Sequence, residues 1–123
     1  MKLLVQTRTE TPIYEQLYGQ IRAQILSGQI APNTVLPSIR VVARELTISV
    51  IPVKTAYEML EQQGYIYTLQ GKGCFVAEIA DREAQRLKLA AESVKSTVEN
   101  CKSLGFSATE INELVSATYS ETE

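Results

Sequence analysis

Apolar residues recur at every fourth position from Ile13 through Leu17 and Ile21 to Ile25, with Tyr14 and Tyr18 alongside. That spacing draws one apolar stripe along a helix. Thr11 is read as its N-cap and Pro12 as its first helical residue. Gly28 ends it near Leu26 and Ser27. Residues 1–10, which lack this period, are expected to form an extended arm. Residues 29–37, with Pro32 and Pro37, read as a loop. Ser38 is positioned to cap a second helix running to about Leu46, with Ile39, Val42, Ala43 and Leu46 on its inner face. Thr47 and Ile48 make a tight turn, and Ser49 can cap a third helix. Pro52 falls in that helix's first turn, where a missing N–H costs little. Val53, Ala56, Tyr57 and Leu60 form its inner face, and Gly64 stops it.

The period then changes. Residues 65–69 (YIYTL) are rich in β-formers, residues 70–73 (QGKG) make a turn, and residues 74–77 (CFVA) return as a second strand. Either glycine of the turn can take positive φ. From Ala80 the helical pattern resumes. Ala80, Ala84, Leu87, Ala91, Val94, Val98 and Cys101 are spaced by fours and threes, an apolar seam on one helix over about residues 80–104. Gly105 breaks that helix. Ser107 and Glu110 have the spacing of a capping box, with Phe106 and Ile111 as its hydrophobic staple. Ile111, Leu114, Val115 and Tyr119 give a last helix its apolar face. The expected fold is therefore mainly α with a small β-hairpin wing: a winged helix-turn-helix over residues 1–78 and a helical hairpin over residues 79–123.

Composition excludes more than it identifies. The 123 residues are 45% hydrophobic and 21% charged, an ordinary globular balance. No stretch is long and apolar enough to suggest a membrane span, and the first residues lack a signal-peptide core. Histidine is absent, and Cys74 and Cys101 form no metal-ligand spacing. No metal or other cofactor is expected, and the unpatterned cysteines fit a reducing cytoplasm. There is no nucleophile elbow and no P-loop, so catalysis is not expected. The tyrosines sit at helical and strand spacings, where core packing outweighs a ligand pocket. The net charge is −2, but it is uneven: residues 1–80 hold seven Lys/Arg and six Asp/Glu, residues 81–123 five and eight. Phosphate responds to local charge, and a local net of +1 is light for a nucleic-acid partner.

Two short helices joined by a tight turn are the arrangement that sets the second helix in a DNA major groove. The N-terminal turns of that helix carry Ser49, Val50, Ile51, Lys54 and Thr55. Ser38, Arg40 and Arg44 on the first helix are placed for phosphate, and Arg40 also for guanine. The wing adds Gln70, Gly71 and Lys72, where a glycine permits close approach and the lysine supplies charge. Taken together, PIYEQLYGQIRAQILSGQI, LPSIRVVARELTIS and KTAYEMLEQQGYIYTLQGKGCFVA resemble the GntR family of bacterial transcription regulators over about residues 10–78. The short remainder resembles the YtrA-type branch, in which two helices replace a large ligand-binding domain. The resemblance implies DNA contact by Arg40, by Ser49, Val50 and Ile51, by Lys54 and by the wing tip Gln70, Gly71 and Lys72. It also implies negative control of a nearby operon. Pro52 and Thr55 depart from the family pattern, which more often has threonine and a basic residue there.

Two functions compete on this basis. The first is a DNA-binding repressor acting as a homodimer on a palindromic operator. Ala84, Leu87, Ala91, Val94, Val98, Cys101, Ile111, Leu114 and Val115 would form the dimer contact. A small-molecule effector of unidentified chemistry would act by changing the spacing of the two reading heads. The second is a winged-helix protein-interaction module that binds no DNA, favoured by the low net charge.

Overall fold

The computed structural model describes residues 1–122. Its elements are α1 (Ile13–Ser27), α2 (Ile39–Leu46), α3 (Val50–Gln62), β1 (Ile66–Leu69), β2 (Gly73–Val76), α4 (Arg82–Ser103) and α5 (Ala108–Thr122). The chain forms two compact units, Met1–Arg86 and Leu87–Glu123. The first unit includes the first turn of α4.

The first unit is built around one core. Leu17, Ile21 and Ile25 of α1 meet Val42 and Ala43 of α2, Val53, Ala56, Tyr57 and Leu60 of α3, and Ile66 and Val76 of the hairpin. Every stripe read from the apolar spacing of the first three helices ends in this cluster, and among the described residues no charged side chain is buried with it. The strands pair antiparallel with Ile66 opposite Val76 and Tyr67 opposite Phe75. Leu69 pairs with Gly73, so Gly73 belongs to β2 and not to the turn. Gly71 and Gly73 both take positive φ, 78° and 110°, closing the hairpin through Lys72 N–H to the Leu69 carbonyl (2.9 Å).

Two local features differ from expectation. The first is the start of α1. Pro12, not Thr11, is the N-cap residue, with ψ 148°, and its carbonyl accepts from Glu15 and Gln16. Thr11 cannot cap because proline, lacking an N–H and fixed in φ, already holds the last extended position; the Thr11 carbonyl accepts from Gln16 Nε2 instead (2.9 Å). The second is the loop before α2. Residues 33–36 run antiparallel to β2, with Asn33 N–H to the Val76 carbonyl (2.7 Å), Val76 N–H to Thr34 (2.9 Å) and Leu36 N–H to Cys74 (2.8 Å). This third lane braces the hairpin on its inner edge.

The arm is extended, and its anchoring was not visible in the apolar pattern. Gln24 accepts from the Lys2 N–H (3.4 Å) and donates to the Lys2 carbonyl (2.6 Å). Gln20 grips Leu4 the same way (2.9 and 2.6 Å), and Gln16 grips Gln6 (2.9 and 2.8 Å). Two residues of extended chain advance about 6.6 Å and four of helix about 6 Å, so the two periods match. Leu3 and Val5, between the gripped residues, pack against the core.

In the second unit, Ser107 and Glu110 form the capping box: Glu110 N–H donates to Ser107 Oγ (3.2 Å) and Ser107 N–H to Glu110 Oε1 (2.9 Å). Those bonds hold the Glu110 carboxyl below the usual carboxylate range. α4 starts after Ala80, which lies outside the helix. It buries no side chain, and α5 buries only Ile111. Ile111 and Phe106 share a small hollow with Val98 and Lys102 at the turn.

Candidate nucleic-acid interface

The geometry of α2, the turn and α3 is set by a few bonds. Ser38 caps α2 by accepting from Val41 N–H (3.2 Å). Tyr57, on the buried side of α3, donates its hydroxyl to the Pro37 carbonyl (2.6 Å). The start of α2 is thereby tied to the middle of α3 through a tyrosine only 3% exposed. That burial pushes the Tyr57 hydroxyl well above its ordinary pKa. The turn is closed by Thr47, whose φ of 57° is left-handed, and by Ile48 N–H to the Ala43 carbonyl (3.0 Å). A β-branched residue there carries strain, held by the flanking helices that pack into the core.

With the inner faces spent on the core, specific groups are left outside. Arg40 and Arg44, one turn apart on α2, are exposed on the same side. Val50 and Ile51, in the first turn of α3, are 45% and 70% exposed. Ser49 occupies the N-cap position, but its hydroxyl makes no cap hydrogen bond. Lys54 is exposed and lies 3.9 Å from Glu58, an open surface pair. Thr55 is half-buried beside it.

The wing is joined to α3 at its root. Tyr65 N–H donates to the Leu60 carbonyl (2.9 Å), and Thr68 Oγ1 donates to Glu61 Oε2. Tyr67 stacks on Phe75 at 5.5 Å and donates to Asn33 Oδ1 (2.8 Å). The stem is thus rigid, while Gln70, Gly71 and Lys72 stand exposed at its tip. Cys74 is half-buried in β2, its sulfur 3.5 Å from Thr68 Oγ1. The helix pair and the hairpin tip are held as one piece, with an open, lightly basic outer surface.

Residues 13–76 match the family described as bacterial regulatory proteins, gntR family. The chain belongs to that family. The HTH-type transcriptional repressor YtrA of Bacillus subtilis (strain 168) is 38% identical over 76 residues, which cover 62% of this chain. This chain spans only 58% of YtrA's length. A GntR family transcriptional regulator from Listeria monocytogenes superposes with a TM-score of 0.77 at 27% identity, covering 88% of this chain and 96% of that one. The AraR DNA-binding domain, solved in complex with operator ORX1, superposes with a TM-score of 0.55 at 29% identity over 63% of this chain and 96% of that one. The fold is the winged helix-turn-helix of these GntR regulators.

Of the residues singled out in the sequence, Ser38, Arg40, Arg44, Ser49, Val50, Ile51 and Lys54 lie on the outer parts of α2 and the start of α3, and Gln70, Gly71 and Lys72 at the wing tip. Of the seam, Leu87, Ala91 and Val94 are exposed on α4, Leu114 and Val115 on α5, and Val98 and Cys101 are half-buried. Ala84 lies in the first unit, lining a cleft with Ile25, Pro32 and Val76. Ile111 is taken up by the turn within its own chain. The sequence reading missed Val41, which is 38% exposed between Arg40 and Arg44, and the Asn33–Tyr67 brace of the wing. Val41 stands one residue from the buried Val42, so an apolar run there hid which of the two faces outward.

Proposed function

We propose that this chain is a transcriptional repressor that binds duplex DNA as a homodimer, one copy to each half of a palindromic operator. The observation that carries the reading is the bare first turn of α3: Val50, Ile51 and Lys54 stand exposed at the end of a helix whose other face is wholly spent on the core. The first turns of such a helix are the part a helix-turn-helix presents to base edges. Arg40, Arg44 and Lys72 supply the cations for phosphate, and the first N–H groups of α2 that the Ser38 cap leaves open meet the backbone. The likeness to AraR, solved with operator DNA, and to YtrA, named a repressor, supports the same reading.

The second unit supplies the pairing. Its long helix buries nothing on its own, yet Leu87 and Val94 are 71% and 61% exposed along one seam. A helix in a protein draws most of its stability from packing its apolar face, and a second copy laid along the seam removes those side chains from solvent. Residues 1–78 are thus the DNA-binding domain, and residues 79–123 the dimerisation region. An effector would act by shifting the balance between two arrangements of the dimer. Cys74 and Cys101, which form no disulfide, fit a cytoplasmic setting for such a regulator.

A fluorescence-anisotropy titration with fragments of the chain's own promoter, repeated across salt concentrations, tests the reading. Affinity falls with salt on a log–log line, and Lys72→Ala reduces that slope by about one. Binding no tighter than micromolar at low salt for every fragment refutes it and leaves the protein-interaction module standing.

A further inference from the structure

The outer surface of α3 is unusual for a helix that reads bases. Arg, Asn and Gln, the side chains that recognise guanine and adenine bidentately, are absent from residues 49–61. Lys54 is a point charge beside Glu58, suited to a phosphate. Glu58 and Glu61 follow on the outer side of the later turns; Glu61 is bonded to Thr68. Their charge opposes deep entry of those turns into a groove lined with phosphate. What the first turn offers is Ile51 and Val50, the former 70% exposed. Single exposed aliphatics need no explanation on a surface. Two adjacent ones, at the end that faces bases and with no Arg, Asn or Gln beside them, do.

The major groove carries one apolar group, the C5-methyl of thymine. We infer that Ile51, with Val50, reads thymine methyls, and that each operator half-site holds thymine at the position facing the first turn of α3. This rests on the DNA-binding reading above. Specificity then comes from removing methyl and side-chain surface from water together, while Arg40, Arg44, Lys54 and Lys72 contribute affinity without sequence. Pro52 contributes too: it puts a rigid ring where a hydroxyl would otherwise compete for the same base edge, and it fixes the first turn that carries Ile51.

The test uses the full chain and duplexes selected by it from a random pool. Each thymine of the selected half-site is replaced in turn by uracil, which removes only the methyl. One or two positions should weaken binding by about four-fold per methyl. Ile51→Ala should weaken binding to the thymine duplex and show no further loss with uracil, since the two changes remove the same contact. Ile51→Gln should move the selected base from thymine to adenine. The helical far-UV circular dichroism of both variants should match the parent, because Ile51 lies outside the core. If uracil at every position leaves affinity unchanged while selected duplexes still outcompete random DNA, the methyl readout is refuted and DNA binding stands. If no duplex is selected over random DNA, the repressor reading itself falls, and the methyl readout with it.

Discussion

Gln20→Ala removes the middle pair of hydrogen bonds that hold the arm to α1, those to the Leu4 N–H (2.9 Å) and carbonyl (2.6 Å). The arm is finely balanced. Ordering its first six residues costs about 9 kcal/mol at roughly 1.5 per residue. Against that stand the glutamine bonds to Lys2, Leu4 and Gln6, together about 6 kcal/mol, and the half-burial of Leu3 and Val5, about 2 kcal/mol. Losing one two-bond rung, about 2 kcal/mol, shifts the docked-to-free ratio by about 30-fold. The whole arm should therefore release, not one residue of it. Trypsin cleavage after the exposed Arg8 reports the free fraction. It should speed up as the remaining docked fraction empties. The Leu4 and Gln6 amides should lose their protection from hydrogen exchange at the same time. The core amides of α1 and α3 should stay as slow as before, because Leu17, Ile21 and Leu60 are untouched. Arm amides that remain protected in Gln20→Ala, with Arg8 cleaved at the parent rate, would falsify the ladder as the arm's anchor.

Tyr57→Phe deletes the bond to the Pro37 carbonyl and should cost about 1–2 kcal/mol in urea unfolding, with the m-value unchanged. The same hydroxyl gives a pH signature. Burial raises its folded pKa above the unfolded value of about 10, so its contribution is whole below pH 10 and is lost, at about 1.4 kcal/mol per unit, as pH rises from there to the raised folded pKa. Tyr65, raised chiefly by burial and next by Tyr18, acts with the same sign, so Tyr57→Phe should flatten the alkaline fall without abolishing it. Thr47→Gly relieves the left-handed strain in the turn and should raise stability by about 1 kcal/mol by thermal melting, despite glycine's greater unfolded entropy. Val94→Glu, placed on the exposed seam, should convert the proposed dimer to monomers in analytical ultracentrifugation and leave the circular dichroism of the first unit intact.

The first three helices were legible because each spends a single face on one core, and that face repeats at helical spacing. The stripe of Val53, Ala56, Tyr57 and Leu60 maps directly onto buried positions. Glycines and capping residues marked most of the ends for stereochemical reasons: Gly28 takes φ 84°, and Ser38 and Ser107 accept the backbone bonds their positions call for. Ser49 shows the limit. It holds the cap position without making the bond, since position is a property of backbone shape, and the hydroxyl is free to turn outward. The arm was illegible for a different reason. Gln16, Gln20 and Gln24 are polar, and a reading based on apolar spacing sees them as the solvent face of α1. Their role emerges only when a strand of matching advance lies alongside.

The candidate site was legible in its members but not in its balance of forces. Arg40, Lys54 and Lys72 announce themselves by charge, whereas the exposure of Val50 and Ile51 follows only from knowing which side of α3 the core takes. The same holds for the tail. Spacing by fours and threes identifies a seam, yet that seam is as consistent with packing inside the chain as with packing against another copy. The distinction rests on burial: within a single chain, Leu87 and Val94 of α4 and Leu114, Val115 and Tyr119 of α5 stay at least half exposed, while Ile111 alone is covered. A staple of one buried isoleucine fixes the turn between two helices but cannot stabilise both along their lengths, since a side chain of that size contributes only about 2–3 kcal/mol. In the proposed homodimer, a second copy, which brings the identical seam, supplies the remaining stabilisation by symmetry.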